Sequence, residues 1–234
     1  MGHGRSEADW VQETRFGRWF LGTEVWRRYV LGESLNTLVG LLRGHAGTGM
    51  RILDLGCGQG LALPLLADIF APRLLIGVDI DRALIDKARG VVPGLRYPAE
   101  VLHGSALDLP LPDNAVDLVL CHQVLHHVAR QAEVLAECRR VLAPGGQLLV
   151  AESCRCFIES SPVRLLFRHP RQVQKTAGQY LTLVRQAGFT VSEQDLITAA
   201  PWWSQGDLGL RERWGWARGQ SLEPTEVLML AWKG

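Results

Sequence analysis

Apolar residues from position 51 onward come in short unbroken runs, each closed by an acid or a glycine-rich turn and followed by a stretch with helical spacing. Residues 51–55 predict a buried strand, 61–70 a helix, 74–79 a second strand ending on Asp79, and 81–89 a helix capped by Asp81 and stopped by Pro93-Gly94. A short strand follows at 100–104, then a turn-rich link at 109–114, a strand at 116–121 and a helix at 130–142 with Val134, Leu135, Cys138 and Val141 on one face. The turn Ala143-Pro144-Gly145-Gly146 feeds a fifth strand at 147–151. Repeated strand–helix units of this length imply a mostly parallel sheet with helices on both faces. Beyond an irregular, arginine-bearing stretch at 154–171, the pattern gives a helix at 177–187, a strand at 189–196 and a final, returning strand at 227–232. The expected fold is therefore α/β: a Rossmann-like, open, seven-stranded sheet with an antiparallel final strand.

Residues before the sheet differ in character. Trp10, Phe16, Trp19, Phe20, Trp26 and Tyr29 interleave with Arg15, Arg18, Arg27 and Arg28, and Gly17, Gly22 and Gly32 cut the helical spacing into pieces. A second helical run at 33–42 has Ser34 as its expected cap. Residues 1–45 thus read as helices packed on the core or as an N-terminal helical lid, and 46–234 as the main domain, with substrate inserts expected at 154–175 and 200–225. The second insert holds Pro201-Trp202-Trp203 and Trp214-Gly215-Trp216. Loops this long inside a domain are commonly functional or disordered, and four tryptophans argue against disorder. They form a minor apolar cluster or a wall of an apolar pocket facing the N-terminal aromatics.

The chain turns on Asp54-Leu55-Gly56-Cys57-Gly58-Gln59-Gly60. Open parallel sheets bind ligands at the carboxyl ends of their strands, and here those ends carry Asp54, Asp79, Ser105, Cys121, His122 and Glu152. An acid about twenty residues beyond a glycine turn is placed to accept both ribose hydroxyls, which points to an adenosine ligand. A dinucleotide site favours G-x-G-x-x-G, but Leu61 stands where the third glycine belongs, and Asp54 would repel a diphosphate. An ammonium and a sulfonium suit that acid better, so the spacing favours S-adenosylmethionine over NAD.

Composition changes little in this picture. Lysine plus arginine total 25 against 24 acids, a formal net charge of +1, so no polyanionic partner is called for and nucleic acid is not expected. No apolar run is long enough to span a membrane, and the N-terminus lacks the apolar region of a secretory signal, although Met1-Gly2 with Ser6 loosely fits a myristoylation pattern. The five cysteines (57, 121, 138, 154 and 156) are odd in number and scattered, which fits reduced thiols in a cytoplasmic protein.

Ile52–Gly60 resembles the first motif of class I S-adenosylmethionine-dependent methyltransferases, and Gly77-Val78-Asp79-Ile80-Asp81 resembles their second-strand acidic motif. The stretches at 108–117, 124–128 and 142–150 follow in the family's order, so the resemblance spans roughly 48–153, closest to the small-molecule branch that includes the ubiquinone and menaquinone enzymes. The resemblance implies that Asp54, Gly56, Cys57 and Gly58 hold the methionine end of the cofactor, Asp79 the ribose and Ile80 the adenine. Ser105 and Ala106 stand where the family often places an acid and a small residue near the adenine amine, and serine gives up a charge-assisted contact there. Cys121 and His122 would lie beside the sulfonium, His122 partly through its carbonyl.

Methyl transfer needs alignment and exclusion of water, and a base only when the acceptor arrives protonated. His122, His126 and Glu152 are the candidate catalytic groups, with a structural hydrogen bond as the competing reading for His126 and His127. Cys121, His122 and His126, or Cys154 and Cys156, lack the paired spacing of a zinc site, so no metal is expected. The sequence thus predicts methyl transfer to a small, hydrophobic or aromatic acceptor. An NAD(P)-dependent oxidoreductase and a catalytically silent cofactor-binding partner protein are the alternatives, and the oligomeric state is open.

Overall fold

The computed structural model describes residues 10–43, 47–204 and 223–234. Its sheet opens with five parallel strands, β1 (Arg51–Leu55), β2 (Leu74–Asp79), β3 (Ala99–His103), β4 (Val116–His122) and β5 (Leu142–Ser153). Then come β6 (Phe189–Thr190), β7 (Leu196–Ala199) and the reversed β8 (Glu226–Lys233), which pairs antiparallel with β5, β6 and β7. The order is β3-β2-β1-β4-β5-β8-β6, with β7 also on β8. Chain direction across the sheet reverses between β1 and β4, so the crevice at that switch point opens between Asp54 and His122.

Eight strands replace the seven expected because the 189–196 segment is not continuous. A 3-10 turn at Glu193–Asp195 interrupts it, leaving two short strands on the same edge of β8. The predicted reversal of the final strand is present.

Side chains alternate between two buried layers. Leu53, Leu55, Val119, Cys121, Leu148 and Val150 face one layer with α5 (Gln131–Val141) and α8 (Ala177–Gln186). Ile52, Leu118, Leu120, Leu149 and Ala151 face the other, with α2 (Glu33–Leu41), α3 (Ala62–Phe70) and α4 (Arg82–Val91). Both faces of β1, β4 and β5 are therefore dry, which is why their sequences read as unbroken apolar runs. Each such Leu or Val contributes about 1.5–3 kcal/mol on burial. Asp81 caps α4 as predicted, its carboxylate accepting the Ala83 N–H at 2.9 Å.

Ahead of the sheet, α1 (Arg15–Phe20) is separated by a turn from a second helix whose first part, Trp26–Gly32, is π-helical and runs directly into α2. Gly22 breaks the helix there, whereas Gly17, inside α1, and Gly32 do not. Ser34 is consequently not a cap: it lies inside a continuous helix, and its hydroxyl donates to Glu226 Oε1 at 2.6 Å in a buried contact that ties α2 to β8. The stretch at 154–171, expected to be irregular, contains α6 (Arg155–Ile158) and α7 (Ser161–Leu166). Trp214, Gly215 and Trp216, most of the 200–225 insert, and the Met1-Gly2 and Ser6 positions lie outside the described residues. Among the described residues no helix is long and apolar enough to cross a membrane.

Burial pushes the Glu226 carboxyl up to about 7, against the lowering effect of the Ser34 hydrogen bond. A carboxyl raised in the folded state stabilises it below its unfolded value near 4.5 and loses that contribution as pH rises through about 7. Ser34→Ala removes the donor that the ionised form needs. We expect it to cost about 1–3 kcal/mol, with a larger drop in melting temperature at pH 8 than at pH 6. Equal melting of variant and parent at both values would contradict this.

Candidate active site

The glycine turn lies at the exit of β1, folded against β2. The N–H groups of Gly56 and Cys57 both donate to the Val78 carbonyl, at 2.8 and 3.1 Å, and that of Gly60 to the Cys57 carbonyl at 2.8 Å. The Gly58 N–H donates to Asp79 Oδ2 at 2.9 Å. Four backbone donors are thus consumed within the protein, leaving the turn poorly equipped for a phosphate, which is bound by free N–H groups. Gly56 is required here: its φ is +70°, and a Cβ would stand 2.6 Å from Val124 Cγ2. At Gly58 (φ +52°) a Cβ would meet nothing within 4 Å, so this part of the turn borders open space. The Cys57 side chain points the other way and packs on Gly77, where an added Cβ would lie 2.9 Å from its Sγ. Only its backbone belongs to the turn's open side.

Three carboxylates at the strand exits have three different fates. Asp79 is held by two backbone donors, Gly58 N–H and Asp81 N–H, and burial raises its pKa against their lowering effect. Glu152 is wholly buried, and its Oε1 accepts the N–H groups of Val124 and Leu125 at 2.8 and 2.6 Å. Its Oε2 accepts the His126 N–H at 3.4 Å and meets His126 Nδ1 at 2.6 Å. Asp54 has a buried Oδ2 with no hydrogen-bond partner, and burial together with the neighbouring charge of Asp79 pushes its carboxyl up to about 8.

One cavity of about 680 Å³ runs from this turn outward. Asp54, Gly56, Cys57, Gly58, Gln59, His122, Gln123, His126, His127 and Ser153 form its base. Phe16, Phe20, Trp26 and Tyr29 close it from the N-terminal side, with Phe157, Phe167 and Trp203 opposite. Phe16 and Phe20 each meet Phe167 edge-on at 5.8 Å, Trp26 meets His122 at 5.6 Å, and Tyr29 meets Trp202 at 5.6 Å. Polar contacts hold the segment down: Gln59 Nε2 donates to the Arg18 carbonyl at 2.9 Å, Gln12 Nε2 to Asp81 Oδ2 at 3.2 Å, and Thr14 Oγ1 to the Leu166 carbonyl at 2.6 Å.

The predicted site residues divide accordingly. Asp54, Gly56, Cys57, Gly58, His122 and His126 line the cavity. Glu152 does not, because all its contacts face inward; it is a positioning residue for the 3-10 turn Leu125–His127, which corrects the expectation of a base or substrate anchor. Cys121 is turned into the core with Val119 and Val150, which leaves only its backbone near the crevice. Ser105 spends its hydroxyl accepting the Leu107 N–H at 3.1 Å, and Ala106 packs on the core, so neither side chain lines the cavity. Ile80, 37% exposed, leaves an apolar face open beyond β2.

Polar cavity residues that the sequence did not single out include Glu13, Gln123, Ser153 and His169. Gln123 is the most telling, since it takes φ +57° at the exit of β4 and presents an unpartnered buried Nε2 while Ser153 donates to its Oε1 at 2.7 Å. His122 also has a buried, unpartnered Nε2; desolvation, then the nearby charge of His126, pull its pKa down to about 3, so the ring is neutral at physiological pH.

Residues 53–150 match the family described as a methyltransferase domain. A protein from Mycolicibacterium smegmatis, named as a probable S-adenosylmethionine-dependent methyltransferase, is 38% identical over 151 residues, which are 64% of this chain and 55% of its own. Over the matched stretch the chain is similar to S-adenosylmethionine-dependent methyltransferases. A demethylmenaquinone methyltransferase from Symbiobacterium thermophilum is 32% identical over 144 residues, 60% of this chain and 52% of its own. The chain thus spans about half the length of these curated relatives. The solved structure of a methyltransferase from Aquifex aeolicus shares the fold, with a TM-score of 0.65, 18% identity, and coverage of 93% of this chain and 97% of that one.

The methyltransferase cofactor, S-adenosylmethionine, fits the residues present. An orphaned carboxylate oxygen, a turn with its N–H donors already used and open space at Gly58 suit a cationic methionine end better than a diphosphate. If Asp54 pairs with that cation, it ionises on binding. Below its value of about 8 in the free protein, cofactor binding should therefore release up to one proton. Calorimetry of S-adenosylhomocysteine binding at pH 7, in buffers of different ionisation enthalpy, should report this release, and Asp54→Asn should abolish it and weaken binding about 10- to 100-fold. Buffer-independent heats in the parent protein would refute the assignment.

Proposed function

We propose that this protein transfers a methyl group from S-adenosylmethionine to a small, hydrophobic or aromatic acceptor. The observation that carries the reading is the continuity of one cavity, from the unpartnered Asp54 oxygen past His122 and into a chamber walled by phenylalanine, tryptophan and tyrosine. Its volume of about 680 Å³ lies within the roughly 300–1,000 Å³ of small-molecule sites, and its aromatic walls favour a flat or apolar guest. Residues 10–43 act as the lid and 154–175 as the opposing acceptor wall. The relative from S. thermophilum, named for a demethylmenaquinone substrate, supports an apolar ring system as acceptor here.

When bound, the cofactor supplies a methyl carbon activated by its sulfonium. Asp54 pairs with the cationic methionine end, Asp79 accepts the ribose hydroxyls with its remaining lone pairs, and Ile80 packs on the adenine. His122, at the crevice between β1 and β4, is neutral and has Nε2 free to accept a hydrogen bond from the acceptor's nucleophilic O–H or N–H. That bond aligns the nucleophile with the methyl carbon, and alignment is the main demand of this reaction. Gln123 Nε2 offers a donor to a second polar group on the acceptor. Phe16, Phe20 and Phe167 keep water from the chamber.

The first test is a panel of quinones, phenols, fatty acids, amines, protein and RNA, with methylated products read by mass spectrometry. We expect turnover on an apolar small molecule, and binding of S-adenosylhomocysteine with none of NAD(P). Methylation confined to protein or RNA would overturn the acceptor class. His122→Ala is expected to lower kcat/KM at least about 10-fold, with S-adenosylhomocysteine affinity changed less than about threefold. Unchanged turnover in this variant would remove His122 from the mechanism.

A further inference from the structure

Beyond the cofactor turn, the acceptor side of the cavity contains a grouping that methyl transfer does not require. His126, His127 and His169 each offer a ring nitrogen, and the three lie within 4.8 Å of one another. Their rings are close, at 4.2 Å between His126 and His127, 4.8 Å between His127 and His169, and 5.1 Å between His126 and His169. Glu13 faces them from the N-terminal segment. Its Oε2 is engaged by the N–H groups of Thr14 and Arg168, at 3.1 and 3.4 Å. Its Oε1 lies 3.8 Å from His127 Nε2 and 3.7 Å from His169 Nε2, too far for hydrogen bonds.

We propose that Glu13, His126, His127 and His169 form a site for one divalent transition-metal ion at the acceptor end of the cavity. A tetrahedral ion with bonds of about 2.0–2.1 Å has neighbouring ligand atoms roughly 3.4 Å apart. The Glu13–histidine separations exceed this by a few tenths of an ångström, so small side-chain rotations complete that half of the shell. Three imidazole nitrogens and one carboxylate oxygen are a ligand set for zinc, iron, nickel or cobalt, and not for magnesium or calcium.

The surroundings are built as metal sites usually are. Glu152 accepts the Nδ1 proton of His126, since it already accepts from three backbone N–H groups in the same turn, and this leaves Nε2 as the ligand atom. Gln174 Nε2 donates to the His126 carbonyl at 2.9 Å and to the Pro170 carbonyl at 2.7 Å, fixing the turn that carries His169 against the turn that carries His126. Gln131 adds a second clamp, donating to the carbonyls of Leu125 at 2.8 Å and Val173 at 3.1 Å. The Glu13 carboxyl faces the group, where burial raises its pKa against the lowering effect of the Thr14 and Arg168 N–H groups, and Glu152 stands behind His126 on the side away from the cavity. Because all four ligands line the cavity, a bound molecule can reach the ion as a fifth ligand, with the shell expanding from tetrahedral to five-coordinate. Resting on the acceptor reading above, that fifth position takes an oxygen of the acceptor and orients it toward the methyl group.

The decisive experiment uses the untagged full chain, stripped with chelator and titrated with Co²⁺ and then Zn²⁺ in the absence of any methyl acceptor. We expect one ion per chain and a visible cobalt spectrum of nitrogen and oxygen ligation, without a sulfur charge-transfer band. His169→Ala and the isosteric Glu13→Gln should each weaken Co²⁺ binding at least about 10-fold, while S-adenosylhomocysteine affinity and the metal-free melting temperature stay near parental values. No stoichiometric binding by the parent chain, binding indifferent to both variants, or a thiolate band marking Cys154 and Cys156 would each overturn the proposal. If Co²⁺ binds as expected and S-adenosylhomocysteine does not, the methyltransferase reading fails and the metal site stands.

Discussion

The buried carboxylate of Glu152 is the interaction on which the site's geometry depends. It sits at the end of β5 with no access to water, and a charge so placed is tolerated only when its oxygens are saturated with donors. The donors are the N–H groups of Val124, Leu125 and His126 and the His126 ring. Hydrogen bonds to a charged group contribute about 1.5–3 kcal/mol each, so the chain after β4 has little freedom to do anything but wrap this carboxylate. That wrapping forms the 3-10 turn Leu125–His127, directs His126, and leaves Gln123 in a left-handed conformation at the mouth of the crevice.

Set beside Glu152, the other two carboxylates show how the same residue type is given different work. Asp79 keeps two backbone donors, which order the glycine turn against β2. Asp54 is nearly as buried as Glu152 and keeps an oxygen without a partner. An unmet buried acceptor destabilises the protein by about 1–3 kcal/mol. Burial and the neighbouring charge of Asp79 raise the pKa of Asp54 to about 8.

The N-terminal segment and the α6–α7 stretch meet over this edge, and their contact is mostly aromatic. Phe16, Phe20 and Phe167 form one cluster, while Tyr29 with Trp202 and Phe157 with Trp203 form two more pairs. Each aromatic pair adds about 0.5–1.5 kcal/mol beyond its burial, and a few polar bonds such as Thr14 to Leu166 set the register. A cover held by many weak contacts and few strong ones can open for a ligand without disturbing the sheet beneath.

The sequence by itself determined the alternation of strands and helices, the cap at Asp81, the glycine turn, and the row of acids at the strand exits. All of these rest on local rules: a period of two or 3.6, a turn that needs positive φ, a cap two residues from its donor. Local rules also overreached. Ser34 carries the residue type of a cap, yet a π-helical stretch feeds α2 from behind and the hydroxyl goes to Glu226, 192 residues away. Ser105, expected beside adenine, closes a local turn by accepting the Leu107 N–H. Only the tertiary structure decided which acid would be satisfied and which left open, because that depends on the backbone that reaches Glu152 and does not reach Asp54 Oδ2. It alone assembled the histidine group, since Glu13 meets Arg168 across 155 residues and the clamp from Gln174 to His126 spans 48. No periodicity encodes such meetings; they exist only once the sheet has fixed where each loop ends.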